Sequence, residues 1–395
     1  MGLGFGLGLW TYKNQPQFFV ELIPACSLTG KLWLCALITL AIPLVSSYLY
    51  SIISSMSGGK FAGKIGGHAL IFHVLIMIAG VIFTLITSHS FNDLITGGVS
   101  LTTSGNLTDQ IITSDRTSKW LLYADAYQLF IAKLILPTLL IVTVQAVVLS
   151  RFLYSFHTRI LRYSALVSSV SLRAMNYVLL FIPLAACVLT FTMAAVSGYA
   201  LAGLMGRYVL ALIIMLLVLT FLLYFIAALF GGVPIKKFVR VLFPAQVVAA
   251  STRSSLATMP VLLERASHAA LPSAVSGLVI PLSVTVFRLN RSVSSVFSYI
   301  FLTTVYAIPT DASSTLTFLL LIMVLSFGSP GVPSGGKFAT MPVFLALGVP
   351  LEMIVLTKAI DAIPDIFKTV LNVTEAMTIA SLVTRSTSIN PVPHG

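Results

Sequence analysis

Residues 207–232 read RYVLALIIMLLVLTFLLYFIAALFGG, and after Arg207 no charged residue occurs until Lys236. An α-helix rises 1.5 Å per residue, so ~20 such residues cross a hydrocarbon core of ~30 Å. A helix that is apolar on every face is either fully buried or set in lipid. Further long apolar stretches run through 32–56, 68–89, 122–150 and 176–203, each long enough to span. The 395 residues are 57% hydrophobic and only 9% charged, against ~25% charged in soluble domains. A soluble fold could not hide that much apolar surface. The lipid bilayer is therefore the first partner to expect.

The formal charge of +12 would point to nucleic acid in a soluble protein. In a membrane protein it reflects the collection of Lys and Arg in cytoplasmic loops, so no nucleic-acid partner is expected. Lys60 and Lys64 lie between the first two stretches, and Arg151, Arg159, Arg162 and Arg173 between the third and fourth. Lys236, Lys237 and Arg240 follow the fifth, whereas 91–119 is rich in Ser, Thr, Gly and Asp and reads as an exposed outer loop. The basic excess alternates from linker to linker. The expectation is an integral membrane protein, of a bacterial inner membrane, with its C-terminus cytoplasmic. Cys26, Cys35 and Cys187 are too few and too scattered for a disulfide framework or a zinc site. Met1–Trp10 lacks a basic leader and does not read as a signal peptide.

Beyond about 236 the pattern changes. Two apolar segments are interrupted by small polar residues, at Ser251-Thr252-Arg253-Ser254-Ser255 and at Ser329-Pro330-Gly331-Val332-Pro333-Ser334-Gly335-Gly336. The arms are too short to cross, which predicts re-entrant helical hairpins, tolerated where protein or a watery cavity surrounds irregular backbone. A long segment follows each: 271–307, broken around Phe287 to Arg291, and 349–385, with Pro364 inside it. The first unit starts from the basic, inner side and the second after Asp311 on the outer side. That is the pattern of inverted repeats with substrate at the midplane. Three regions follow: 1–67 with N-terminal spans, 68–232 with the remaining spans, and 233–395 as the transport core.

Ser251–Ser255 followed by Thr258-Met259-Pro260-Val261, Gly328-Ser329-Pro330-Gly331-Val332-Pro333, and Asp361-Ala362-Ile363-Pro364-Asp365 with Lys368-Thr369 and Asn372-Val373-Thr374 occur in that order. Together with the stretch from Leu121 to Arg151 they resemble the dicarboxylate/amino acid:cation symporter family, the glutamate-transporter group. The resemblance covers nearly the whole chain from about Leu32, and its three ordered motifs make it specific. It implies an all-α polytopic elevator fold and a homotrimer. It also implies a small-molecule substrate held between the two hairpin tips and the last two helices, with no catalytic residues, no cofactor and Na+ or H+ as coupling ion. The expected function is secondary active transport of an acidic amino acid or dicarboxylate with altered sodium coupling.

The substrate-binding candidates are Arg253, Ser254, Ser255, Ser329, Gly331, Val332, Pro333, Asp365, Lys368, Thr369 and Asn372. Hairpin tips offer unpaired N–H groups and hydroxyls to an anion, although small polar residues also simply turn a chain. Asp365 and Lys368 lie three apart on one helix face. Asp365 would accept an α-ammonium and Lys368 meet a carboxylate, or the two would pair with each other. Lysine lacks the planar fork of the arginine that acidic amino-acid carriers use there.

The charge and coupling candidates are Thr285, Arg288, Arg291, Ser326, Asp361 and Glu375. Relative to the family pattern, the first span is truncated to Gly2–Trp10. The Asn-Met-Asp-Gly-Thr break is Phe287-Arg288-Leu289-Asn290-Arg291, and the acidic residue four positions after Asn372 is Ala376. Hard cations need several oxygens, so two of the family's sodium sites look dismantled, while backbone carbonyls around Thr285 and 326–329 could keep a third. Arg288 would replace a sodium by pairing with Asp361 or Asp365, or else both arginines face a water cavity. Glu375 is a candidate proton carrier, or else a solvated residue near the inner end. His68 and His73, five apart, are off the spacing of a helical metal pair and read as interfacial. The string SGGKFA recurs at 57–62 and 334–339 without phosphate-loop spacing. No HExxH or GxSxG occurs, so an intramembrane enzyme is not expected. A passive anion channel and a transporter-derived sensor stand as alternatives.

Overall fold

The computed structural model describes residues 2–14, 16–57, 64–90, 154–326, 340–349 and 360–387, with part of 120–148 and 354–357. Its regular elements are all helices. The first are α1 (Gly2–Asn14), α2 (Gln17–Ser57), α3 (Lys64–Ser90), α4 (Tyr154–Leu179) and α5 (Ile182–Phe230). Next come α6 (Ile235–Thr252), α7 (Ser255–His268), α8 (Ser273–Thr285), α9 (Leu289–Val305) and α10 (Ala312–Ser326). The last are α11 (Met341–Ala346), a 3-10 turn at Ile360–Ala362 and α12 (Pro364–Thr387).

Lipid-facing rows are legible on the long helices. Ile71, Leu75, Ile78, Ile82 and Ile86 stand exposed along α3, and Leu210, Ile214, Leu217, Phe221 and Phe225 along α5. The three-to-four spacing gives each helix one outward apolar stripe. By length and composition Lys64–Ser90, Gly203–Phe230 and Pro364–Thr387 can each cross a membrane. The third differs in being interior: every residue from Leu371 to Val383 is buried. Around α12 pack α3, α5, α6, α7, α8 and α9.

Three sequence expectations are corrected. The stretches 176–203 and 207–232 are not parted by a linker, because 182–230 is one continuous helix of 49 residues, of which Gly203–Phe230 is the part able to cross. The Gly203-Leu204-Met205-Gly206 stretch contains no proline, and a helical glycine costs only ~1 kcal/mol, less than leaving backbone groups unbonded in lipid. The basic linker that carries Arg159, Arg162 and Arg173 is the amphipathic helix α4, with these arginines exposed and Ser164 and Ser171 buried. Pro364 opens α12 instead of lying inside a longer helix, the position where a missing N–H costs nothing. The sequence break between 271–285 and 289–307 is where expected: α8 ends at Thr285 and α9 begins at Leu289. The 91–119 stretch, Lys60, Arg151 and both copies of SGGKFA beyond Ser57 lie outside the described residues.

The peripheral helices are held by close approach and by a few polar bonds. Trp33 Nε1 donates to Val178 O at 2.9 Å and Ser164 Oγ to Ser47 O at 2.8 Å, tying α2 to α4. In α1, GLGFGLGLW puts Gly4 and Gly8 on one face against the backbone of α5. A Cβ on Gly4 would fall 2.1 Å from Cys187 O, and one on Gly8 2.5 Å from Phe191 O. Small residues four apart let two helix backbones approach in lipid. A Cβ on Gly6 would meet nothing within 4 Å. Gly4→Val should therefore destabilise the protein by ~1–3 kcal/mol, the usual range for overpacking, while Gly6→Val changes little. Thermal unfolding midpoints of the two purified variants in detergent check this.

Candidate functional site

The site grows from the break between α8 and α9. Arg288 is extended, with φ −143° and ψ 94°, and its side chain does not cap the helix that follows. The first N–H groups of α9 then need acceptors from elsewhere, and α12 supplies two. Leu289 N donates to Glu375 Oε2 at 3.1 Å and Asn290 N to Asn372 Oδ1 at 3.2 Å. The Asn290 side-chain amide reaches Lys368 O at 3.4 Å. Asp365, Lys368, Asn372 and Glu375 recur every three or four residues, so they share one face of α12.

At the outer edge of this stripe, Lys368 Nζ pairs with Asp361 Oδ1, and both residues are buried. The ion partner of Lys368 is thus the acid in the preceding 3-10 turn, not Asp365. Asp365 is half-buried, and its charge reaches the Arg288 guanidinium. Arg288 Nε is buried and finds no hydrogen-bond partner among the described residues. Arg291 Nη1 donates to Leu325 O at 3.1 Å, and Ser292 Oγ donates to Ser326 Oγ at 2.7 Å, which fastens α9 to the end of α10. Thr369 Oγ1 turns back to Asp365 O at 2.8 Å.

Beneath the break lies a group that the sequence pointed to only in part. Glu375 is buried, not solvated at the inner end: its Oε1 lies 3.1 Å from His73 Nδ1. His73 Nε2 lies 2.9 Å from Ser283 Oγ, and its ring stacks on Phe287 at 4.0 Å between centroids. His73 is therefore not interfacial. The signal that finds it is the stripe Ala69, His73, Met77, Gly80 and Thr84, which puts the histidine on the small-residue, buried face of α3. His68 is half-buried and hydrogen-bonds to Lys64 O.

The first tip is ordered by local capping. Ser254 Oγ accepts from Ala257 N at 3.2 Å to start α7, and Ser255 is buried. Arg253 ends α6 in the left-handed region, with φ 52° and ψ 31°, and is exposed. α6 and α7 pack against each other and both pack on α12. Thr285 is exposed and donates to Pro281 O at 2.6 Å. Ser329, Gly331, Val332 and Pro333 lie outside the described residues. Phe287, Leu289 and Ala376 bury apolar side chains around the break. Among the described residues no cluster of three His, Cys, Asp or Glu could hold a metal ion.

Removing one member of a buried ion pair typically costs ~3–5 kcal/mol, whereas replacing both by apolar groups is often neutral. Lys368→Met should accordingly lower stability strongly, and the double variant Asp361→Leu/Lys368→Met should recover most of the loss. Thermal unfolding of the single and double variants without substrate reads the difference.

This chain is similar over nearly its full length to curated bacterial carriers. It is 24% identical over 382 residues to the proton/sodium-glutamate symport protein of Bacillus subtilis, covering 94% of this chain and 87% of that one. It is 21% identical over 388 residues to the proton/glutamate-aspartate symporter of Escherichia coli, covering 94% and 88%. It is 22% identical over 224 residues to the L-cystine uptake protein TcyP of Bacillus licheniformis, covering 56% and 48%. Residues 1–386 match the sodium:dicarboxylate symporter family. An apolar helical bundle, a helix that starts in its interior and an ionic stripe facing that start are the parts such a carrier needs, and the chain belongs to the sodium:dicarboxylate symporter family.

Proposed function

We propose that the protein is a secondary active transporter of a small acidic amino acid or dicarboxylate, working by an elevator movement as a homotrimer in a bacterial inner membrane. The observation that carries this reading is the ionic stripe of α12 meeting the start of α9 inside an apolar bundle. Intramembrane ions are costly and mark substrate or ion paths. Substrate sits between the hairpin tips and α12. Asp365 accepts the α-ammonium, Lys368 supplies positive charge for a carboxylate, and Ser254, Ser255, Thr369 and Asn372 complete the polar wall. Arg253, Ser329, Gly331, Val332 and Pro333 belong to the tips that close over it. The arms of α6 and α7 are 18 and 14 residues long, short of a full crossing at 1.5 Å per residue, which supports a re-entrant hairpin.

Coupling to sodium is altered. Phe287, Leu289 and Ala376 offer no side-chain oxygens, and a hard cation needs several. The core acids also have cationic or hydrogen-bonding neighbours from the chain itself: Lys368 pairs with Asp361, the Asp365 charge reaches Arg288, and Glu375 meets His73, so no bound metal ion is required to offset them. Protons, which the proton/sodium-glutamate symport protein of Bacillus subtilis and the proton/glutamate-aspartate symporter of Escherichia coli are named for, or simple exchange are the remaining drivers.

Ligand that binds only the native state raises stability by RT ln(1 + [L]/Kd). L-glutamate or L-aspartate should therefore raise the unfolding midpoint of the purified protein more than succinate or malate does. Asp365→Ala should remove that preference, and exchanging sodium for choline should change it little. Equal stabilisation by succinate in both forms would retire the ammonium role of Asp365. Labelled-substrate counterflow in sealed vesicles separates a carrier, which exchanges, from a channel or sensor, which does not.

A further inference from the structure

The hydrogen bonds around His73 define where protons can sit. The Ser283 hydroxyl has one proton, and Oγ donates it to Val279 O at 2.7 Å. A carbonyl oxygen can only accept, so the 2.9 Å contact from His73 Nε2 is a bond only if Nε2 carries the hydrogen. The other ring nitrogen, Nδ1, then meets Glu375 Oε1 at 3.1 Å. If the imidazole is neutral, Nδ1 offers a lone pair and the carboxyl must be protonated. If the imidazole is charged, Nδ1 donates to a carboxylate. Either way one proton lies between Nδ1 and Oε1. Without it, a nitrogen lone pair would face a carboxylate in a place where both residues are 2% exposed, leaving a buried anion held by a single backbone N–H. Desolvated charge of that kind is strongly disfavoured. The geometry is that of a site with its proton bound.

We propose that His73 and Glu375 form the proton-binding site through which a proton gradient drives transport, an inference that rests on the carrier reading above. The proton enters from water on one side, bridges Nδ1 and Oε1 during the loaded movement, and leaves to the other side. No bond but that to the proton is made or broken. The connection to substrate is mechanical. Glu375 Oε2 caps Leu289 N, the next N–H of α9 is held by Asn372, and the Asn290 side chain by Lys368 O. Proton loss turns Glu375 away from a nitrogen lone pair and disturbs the end of α9 that touches the candidate substrate residues.

Other ionisable groups on the packed elements leave this pair to itself. α8 carries none. α9 carries Arg291, bonded to Leu325 O, and Tyr299, and the break carries Arg288 beside Leu289. α12 carries Lys368, paired with Asp361 of the preceding 3-10 turn, Asp365, and Arg385, bonded to Leu229 O. α3 adds Lys64, His68 and His89. Packed on α12, α5 adds Cys187, Tyr199, Arg207, Tyr208 (bonded to Ser298) and Tyr224 (bonded to Gln246). α6 adds Lys236, Lys237 and Arg240, and α7 the paired Glu264 and Arg265 with His268. Among the described residues, none of these side chains bonds to His73 or Glu375.

Full-length wild type and Glu375→Gln in voltage-clamped proteoliposomes test the assignment, with L-glutamate, L-aspartate and succinate as probes. The glutamine amide donates to Nδ1 as a protonated carboxyl does, so the variant should still exchange labelled probe at equal pH. Under a one-unit inward proton gradient the wild type should accumulate probe about tenfold at one proton per substrate and acidify the lumen, whereas Glu375→Gln should accumulate none. Gradient-driven accumulation by the variant, or net uptake by wild type without acidification of the lumen, overturns the site and leaves the carrier reading standing. If no probe exchanges even in wild type, the carrier reading fails, and the proton is counted directly. Unfolding near pH ~7.5 in weak buffer should release about one proton more from wild type than from Glu375→Gln, and equal release overturns the site. Should the variant not fold, the wild-type gradient and acidification measurements decide alone, and absence of proton movement overturns it.

Discussion

A helix that begins inside an apolar bundle leaves its first N–H groups without water to bond. α9 begins at Leu289 behind an extended Arg288 that caps nothing, and Leu289 itself is buried. That demand dictates much of what surrounds it. Acceptors must arrive from a neighbouring helix at a spacing of three, which Asn372 and Glu375 on α12 meet. A buried carboxylate in turn needs a second partner, and His73 on α3 provides it. The histidine needs its own acceptor, found in Ser283 at the end of α8. Four helical elements are fixed around one chain break by a line of bonds, each of which makes the next one necessary.

The same line explains why α12 is polar on one face while interior from Leu371 to Val383. Its remaining polar groups are also committed. Gln246 on α6 bonds Thr374 at 2.8 Å and Tyr224 on α5, and Thr378 Oγ1 donates to Leu223 O at 3.4 Å. Unpaired polar groups in such a place cost more than their bonds gain, so satisfaction here acts as a specificity device. A shift of α12 by one turn against α9 would leave the Glu375, Asn372 and Gln246 partners all unmade together.

Much of this was readable before the structure. The apolar lengths, the break near Phe287 and the face shared by Asp365, Lys368 and Asn372 follow from period and composition. Other features depend on tertiary geometry that no local pattern encodes. Asp361 and Lys368 are seven apart with a proline between them, and only the 3-10 turn before Pro364 brings the acid back over the lysine. His73 and Glu375 are 302 positions apart, so the histidine looked like one of a loose pair with His68. The continuity of α5 through Gly203 and Gly206 is not legible in the apolar lengths 176–203 and 207–232, because lipid penalises an open backbone more than it penalises a helical glycine.

That continuity gives α5 a mechanical character. Its N-terminal part is pressed against α1 at Cys187 and Phe191 so closely that glycines are required there. Its C-terminal end is pinned to α12, where Arg385 donates to Leu229 O at 2.9 Å and a Cβ on Gly231 would fall 2.2 Å from Ser381 Oγ. One rod is clamped at both ends to different partners. Gly203 and Gly206 lie between those clamps, with open space where a Gly206 side chain would be. A helix held in this way would couple any displacement of α12 to α1 through its own bending stiffness.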